Sequence, residues 1–331
     1  MNKEIQKHHL AHESAWRPLQ LIILALILLT FLASFAIAQS GGGATAFHQR
    51  PVGIEAIGFG GAYVALASDP SAIIWNPAGL SQSNKYRVLF TYSILQFDQT
   101  HNLVAFSAPI GSQLTIGGGW LNYSIEGFDR RDDNQQKLGE FGSTDNAFIL
   151  SLSKSFLHTQ RTSLSIGVNA KYLYSTIAGA NASGAGMDFG AHFRYDRMSI
   201  GLAFQNLGSR IKWKIGNNLT NRIPFTFRIG TAYDFGFSTS RNSPSVKVTL
   251  EGAKTETRNS IFIAGMEGRM EMAAPRSSMA LRVGYGNQLV SGGLTFGLML
   301  DKNLHVDIQY AASEDFLSEV LQHHIGVALQ F

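Results

Sequence analysis

The sequence has no cysteine, which excludes a disulfide scaffold, thiolate metal sites, a cysteine nucleophile and an N-terminal lipoprotein anchor. Charge is also scarce: Asp, Glu, Lys and Arg make up 15% of the 331 residues, against about 25% in an ordinary soluble domain. No clustered basic run accompanies the net charge of +4, so nucleic acid is not an expected partner. Only one hydrophobic run, Leu19 to Ala38, is long enough to be a spanning helix, which argues against a helical membrane bundle although 45% of the residues are hydrophobic. Glycine, at 34 residues, and aromatics, at 11%, are plentiful.

The run is preceded by Lys3, Lys7 and Arg17 and closes in Ala36-Ile37-Ala38. A basic flank, an apolar run and a small-x-small ending are the anatomy of a cleaved export signal. A retained helix is the competing reading, but no stop-transfer flank succeeds the run. Residues 1–38 are therefore expected to be a signal peptide, with the mature chain starting near Gln39.

From Lys85 onward the chain repeats one pattern: about ten residues with apolar side chains at alternate positions, then a polar or glycine-rich break. Leu164, Ile166, Val168, Ala170, Tyr172 and Tyr174 alternate with Ser165, Gly167, Asn169 and Lys171; Met187, Phe189, Ala191, Phe193 and Tyr195 alternate with Asp188, Gly190, His192 and Arg194. A period of two puts the two sets on opposite faces of a strand. About fourteen such segments succeed one another. Strands of nine to eleven residues cross a bilayer when tilted, whereas those of soluble sandwiches run about five or six.

Connections mostly alternate between short and long, as in outer-membrane barrels; Phe97 to His101, a short external loop, and Gly236 to Ser243, a longish internal turn, depart from the pattern. Pro109 to Gln113, Leu157 to Thr162, Asp196 to Arg197 and Asp301 to Asn303 are short; Glu126 to Asp145, Thr176 to Ala185, Ser209 to Pro224 and Ala312 to Gln322 are expected to be long external loops. The last strand ends at Phe331, and a closed barrel needs it to pair with the first, because an open edge in lipid leaves backbone groups without partners. A terminal strand ending in Phe is similar to the signal read by the outer-membrane barrel assembly machinery, an expected partner along with outer-membrane lipid. Tyr92, Tyr123, Tyr172, Tyr174, Tyr195, Phe225, Phe235, Tyr285 and Tyr310 fall toward strand ends, as interface girdles require.

Lys171, Asp188, Arg194, Arg228, Asp234, Glu251, Arg282 and Asp307 need a place away from lipid, where a mid-bilayer Lys or Arg costs about 2 to 4 kcal/mol. They are assigned to the lumen, as a neutralising network bracing the wall or as a polar track for a solute. Enzymatic chemistry is not expected. Candidate nucleophiles and bases are scattered, His305 and Asp307 are one polar pair among many, and the adjacent His323 and His324 point to opposite faces. Gly58-Phe59-Gly60-Gly61 does not match a dinucleotide fingerprint, and no metal or cofactor is expected.

Arg50 to Ser83 differs from the alternating segments: it is apolar and glycine-rich, with little alternation. Asp69-Pro70-Ser71-Ala72 reads as a helix start, and Asn76-Pro77-Ala78-Gly79-Leu80 as a second turn of the same kind. Folding back into the barrel would bury Tyr63, Ile73, Ile74, Trp75 and Leu80. Residues 39–84 are thus expected to be a linker and N-terminal lumenal hatch, and residues 85–331 the outer-membrane β-barrel.

Gly58 to Leu80, GFGGAYVALASDPSAIIWNPAGL, resembles the signature of the PorV/PorQ family, related to the FadL-type transporters; Gly201 to Ser209 and Pro224 to Phe235 keep that family's order. The resemblance implies a fourteen-stranded barrel enclosing a hatch, with Asn76, Pro77 and Ala78 as the hatch motif. It also implies that Gly58, Gly60 and Gly61 closely approach the wall and that Asp69 lies in the preceding turn. On function it implies first an accessory component of type IX protein secretion, which works with secretion-system proteins. The alternative is a FadL-type passive conduit, through which a small hydrophobic molecule enters the lumen and leaves sideways through the wall. A purely structural barrel or adhesin is a third reading.

Overall fold

The computed structural model describes residues 50–214, 219–236, 244–272, 277–286, 289–314 and 320–331. The expected signal peptide lies outside the described residues. Two short helices, α1 (Ile54–Gly58) and α2 (Ala72–Trp75), and a 3-10 turn, η1 (Pro77–Gln82), precede the strands. The strands are β1 (Arg87–Ile94), β2 (Gln99–Ile110), β3 (Leu114–Arg131), β4 (Lys137–His158), β5 (Thr162–Ile177), β6 (Ala180–Tyr195), β7 (Met198–Trp213), β8 (Thr220–Arg222), β9 (Thr226–Gly236), β10 (Ser245–Thr255), β11 (Ile261–Met272), β12 (Ser277–Gly286), β13 (Leu289–Met299), β14 (His305–Glu314) and β15 (Leu321–Gln330).

Fourteen of these strands form a closed antiparallel barrel in which each pairs with its sequence neighbour; β8 is a short ribbon folded against β7, and β9 takes the next place in the wall. The ring closes between β1 and β15, from Arg87 opposite Gln330 to Ile94 opposite His323. The Phe331 amide donates to the Tyr86 carbonyl at 3.0 Å, carrying the seam to the last residue.

Alternation sorts the side chains as the period of two requires. On β5, Ser163, Ser165, Asn169 and Lys171 are buried toward the lumen while Leu164, Val168 and Tyr172 are exposed on the outer surface. Tyr123 differs from its expected place in the girdle. It occupies an inward position on β3, buried edge-on to His101 at 5.7 Å, and its hydroxyl donates to Gln99 at 2.6 Å.

Two of the expected long loops, Glu126 to Asp145 and Thr176 to Ala185, also differ. β3 and β4 continue as a paired hairpin with its turn at 132–136, and β5 passes into β6 through Ala178 and Gly179 alone, both at positive φ. The reason is physical. Beyond the lipid both faces of a ribbon meet water, so the ladder persists while hydrophobic alternation loses its cause.

Residues 50–83, the expected hatch, pack against the inner face of the wall. α1 packs against β12 to β15, and η1 against β3 to β6. Phe59, Tyr63, Ile73, Trp75 and Leu80 are each at most 4% exposed, and full burial of such side chains stabilises by about 1.5 to 3 kcal/mol apiece. Ile74 remains only partly buried. The wall yields space with glycine: a Cβ at Gly167 would overlap the Pro77–Ala78 backbone, one at Gly190 the Asn76 side chain, and one at Gly284 the Phe59–Gly60 backbone.

Candidate functional site: the hatch seat and the lumenal cavity

Asn76 caps η1 through its own Oδ1, which accepts from the Ala78 amide at 3.2 Å. Its Nδ2 donates to the carbonyls of Val64 at 2.9 Å and Ala191, on β6, at 3.0 Å. One fully buried amide thus joins two hatch segments to the wall. Pro77 supplies the fixed φ of a first helical position. Ala78 has no exposed surface, and its carbonyl accepts from Ser153 Oγ on β4 at 3.0 Å. Asn169 donates to the Ile73 carbonyl at 2.6 Å, and Gln205 to that of Ile74 at 2.7 Å. On this side the hatch is held by neutral amides and hydroxyls reaching its backbone carbonyls.

The opposite side is ionic. Glu251 on β10 accepts from the Val64 amide at 2.8 Å and from Arg228 at 2.6 Å. Arg282 on β12 lies 3.2 Å from Glu55 of α1 and 2.7 Å from Glu267 of β11. Gly58 and Gly60 meet the wall here: a Cβ on Gly58 would come 3.1 Å from that of Arg282, and one on Gly60 2.8 Å from the Tyr285 amide nitrogen. Gly61 has more room, and its φ of 93° is what favours glycine. Burial alone would push Glu55 up, but Arg282 carries its carboxyl below the usual value. Asp69, which accepts from Ser71 at 2.6 Å, is pushed up to about 6 by burial and then by the Glu55 charge.

Most of the charges expected in the lumen fall into compact networks. Lys171 pairs with Asp188 at 2.7 Å and donates to Asn206 Oδ1 at 2.6 Å; Asp188 also accepts from the Asn206 amide at 2.8 Å and from Asn169 at 2.8 Å. Arg228 stacks over Trp75 at 4.9 Å while bound to Glu251. Asp307 pairs with His305 at 2.9 Å. Arg194 and Asp234 stand apart and make no ion pair among the described residues.

Sequence reasoning does not single out Glu55, Glu267, Gln205 or Asn206. The polar pair Gln205-Asn206 interrupts the alternation of β7, and Asn206 adopts a φ of 62° where the β6–β7 register shifts. That interruption is the available signal.

Between hatch and wall lies a cavity of about 30 Å³, lined by Ile74, Trp75, Ile149, Lys171, Gln205 and Arg228 among others, room for about one water. A groove of about 640 Å³ lies across the wall on the lipid side, between Phe106, Trp120, Phe148 and Tyr172 and over Gly118 and Ala170. Ile149 and Lys171 border both spaces, so the cavity and groove stand back to back across β4 and β5.

This is a closed fourteen-stranded antiparallel β-barrel, and an outer-membrane location fits it. No family model and no curated protein matches the sequence. Among solved structures, the chain is similar to the CymD monoaromatic hydrocarbon channel, with a TM-score of 0.56 and 11% identity over 87% of this chain and 98% of that one. It is also similar to the P. putida toluene transporter TodX, with a TM-score of 0.52 and 10% identity over 88% and 98%. These neighbours are FadL-like channels, and at such identities the likeness is one of fold.

Proposed function

We propose that this barrel is a passive, non-enzymatic conduit for small hydrophobic molecules across the outer membrane. The observation that carries the reading is the lumenal cavity set back to back with an apolar lipid-side groove. A hydrophobic solute gains nothing from a continuous water-filled pore; it needs an apolar surface to reach and lipid to leave into. With space for about one water above it, the hatch must shift before a solute can pass. Gly118 and Ala170 keep the outer groove open, and the polar networks fix the wall around it. The channels of similar fold add support, and their names make monoaromatic hydrocarbons the class to test first.

The type IX accessory reading rests on the Gly58–Leu80 resemblance; the fold neighbours add nothing specific to it and favour the conduit. The deciding experiment is uptake of labelled toluene by a Gram-negative host lacking its own hydrophobic channel, with and without this protein. Faster uptake, reduced by filling the groove with Gly118→Leu, is expected. Equal uptake with and without the protein, together with affinity capture of secretion components, would overturn the conduit.

A further inference from the structure

An outward-facing basic patch lies away from the lumen. On β7, Ile211 turns inward and is buried while Arg210 and Lys212 are exposed on the outer face. β8 folds back so that Arg222 lies directly opposite Arg210, and Thr220 opposite Lys212. Like charges set opposite each other destabilise a strand pair, so this arrangement calls for an anion. Arg222 reaches Glu256 at 3.2 Å yet stays 66% exposed. Arg210 and Lys212 make no ion pair or side-chain hydrogen bond among the described residues.

The surroundings point to the kind of anion. Leu207 and Phe204 precede Arg210 on the outer face of β7, and Phe204 packs with Phe189, Phe225 and Phe227 at centroid distances of 6.2, 6.3 and 5.1 Å. Lys212 pairs with Ser183, which pairs with the outward Tyr174, so an aromatic of the kind that lines a membrane interface stands two strands away in the same register. There hydrocarbon gives way to headgroups. Going up the barrel, the face runs from aromatic to aliphatic to cationic, which is the order of an anionic lipid from tail to head. A free phosphate would use the cations and leave the aromatics idle.

We propose that Arg210, Lys212 and Arg222 form a docking site for the phosphorylated headgroup of a membrane lipid, whose acyl chains lie along Leu207 and the Phe204–Phe227 cluster. Each cation contributes through charge-assisted contacts that tighten at the membrane surface. The site is independent of what crosses the lumen.

The test is native mass spectrometry of the detergent-purified protein titrated with bis-phosphorylated lipid A, with its dephosphorylated form and with inorganic phosphate. Retention of the phosphorylated lipid is expected to fall at least about fivefold in R210Q/K212Q, with heat-modifiable mobility unchanged, and the dephosphorylated form is expected to bind both proteins weakly and alike. Equal retention by wild type and variant, or equal binding of the two lipid forms, would overturn the proposal. Displacement of the lipid by millimolar inorganic phosphate would also overturn it by making this a free-anion site.

Discussion

The two sides of the hatch are held by different chemistry. Toward β4 to β7 the anchors are Asn76, Ser153, Asn169 and Gln205, neutral groups donating to backbone carbonyls across glycine contacts. Toward β10 to β12 they are Glu251 and the Arg282–Glu55 pair. A neutral anchor depends on shape and is indifferent to pH, whereas a buried ionic anchor is costly to break because removing one partner strands the other. The neutral side sets where the hatch sits, and the ionic side makes partial release expensive.

A thiol reporter can measure that difference, since the chain has no cysteine to interfere and Ala72 has no exposed surface. The labelling rate of Ala72→Cys then reports the free energy of unseating the hatch. The largest effect is expected from Gly190→Val, whose added carbons overlap the Asn76 side chain and leave the reporter labelled as fast as in an unseated hatch. Glu251→Ala strands Arg228, and protection should fall by about 3 to 5 kcal/mol. Asn76→Ala leaves two carbonyls and one amide unsatisfied, for a loss of about 2 to 3 kcal/mol. Glu55→Gln keeps an acceptor for the Tyr63 hydroxyl and loses only the charge, which should cost about 1 kcal/mol. A Glu251→Ala effect smaller than that of Asn76→Ala would erase the contrast between the two sides.

Seating should also respond to pH. Asp69 is raised from 3.8 to about 6 in the seated hatch, so its charged form opposes seating. Its contribution is complete below pH 4 and is lost as pH rises through about 6. Reporter protection should therefore decline between pH 4 and 6, by up to about 3 kcal/mol for a shift of that size, and Asp69→Asn should flatten that slope. A slope unchanged in the variant would assign it to another group.

The legibility of the sequence obeys the same physics. Where lipid touches one face and the lumen the other, as at Leu164 to Tyr174, alternation is enforced and the strands can be read directly. Above the lipid, Phe128 pairs with Phe141 and Arg130 with Gly139 between two register shifts, but both faces are wet and nothing in the residue order marks a strand. Tyr123 departs from its expected place for a related reason: an aromatic near a strand end suits either the belt or the lumen, and only its parity on β3 decides. Asn76-Pro77-Ala78 stands out through a resemblance and its turn chemistry. Glu55 does not, because its meaning depends on Arg282, a residue remote in the chain.

The conduit account turns on the hatch leaving its seat during passage. Ser153 Oγ lies 3.0 Å from the Ala78 carbonyl oxygen, which sets η1 directly against β4, and a short reducible thiol cross-linker between cysteines at these two positions would tie them. The direct measurement is toluene uptake by cells carrying Ala78→Cys/Ser153→Cys, after cross-linking and again after reduction. The account predicts uptake blocked when the tie is formed and restored when it is reduced; uptake that proceeds equally with the tie verified intact would contradict it.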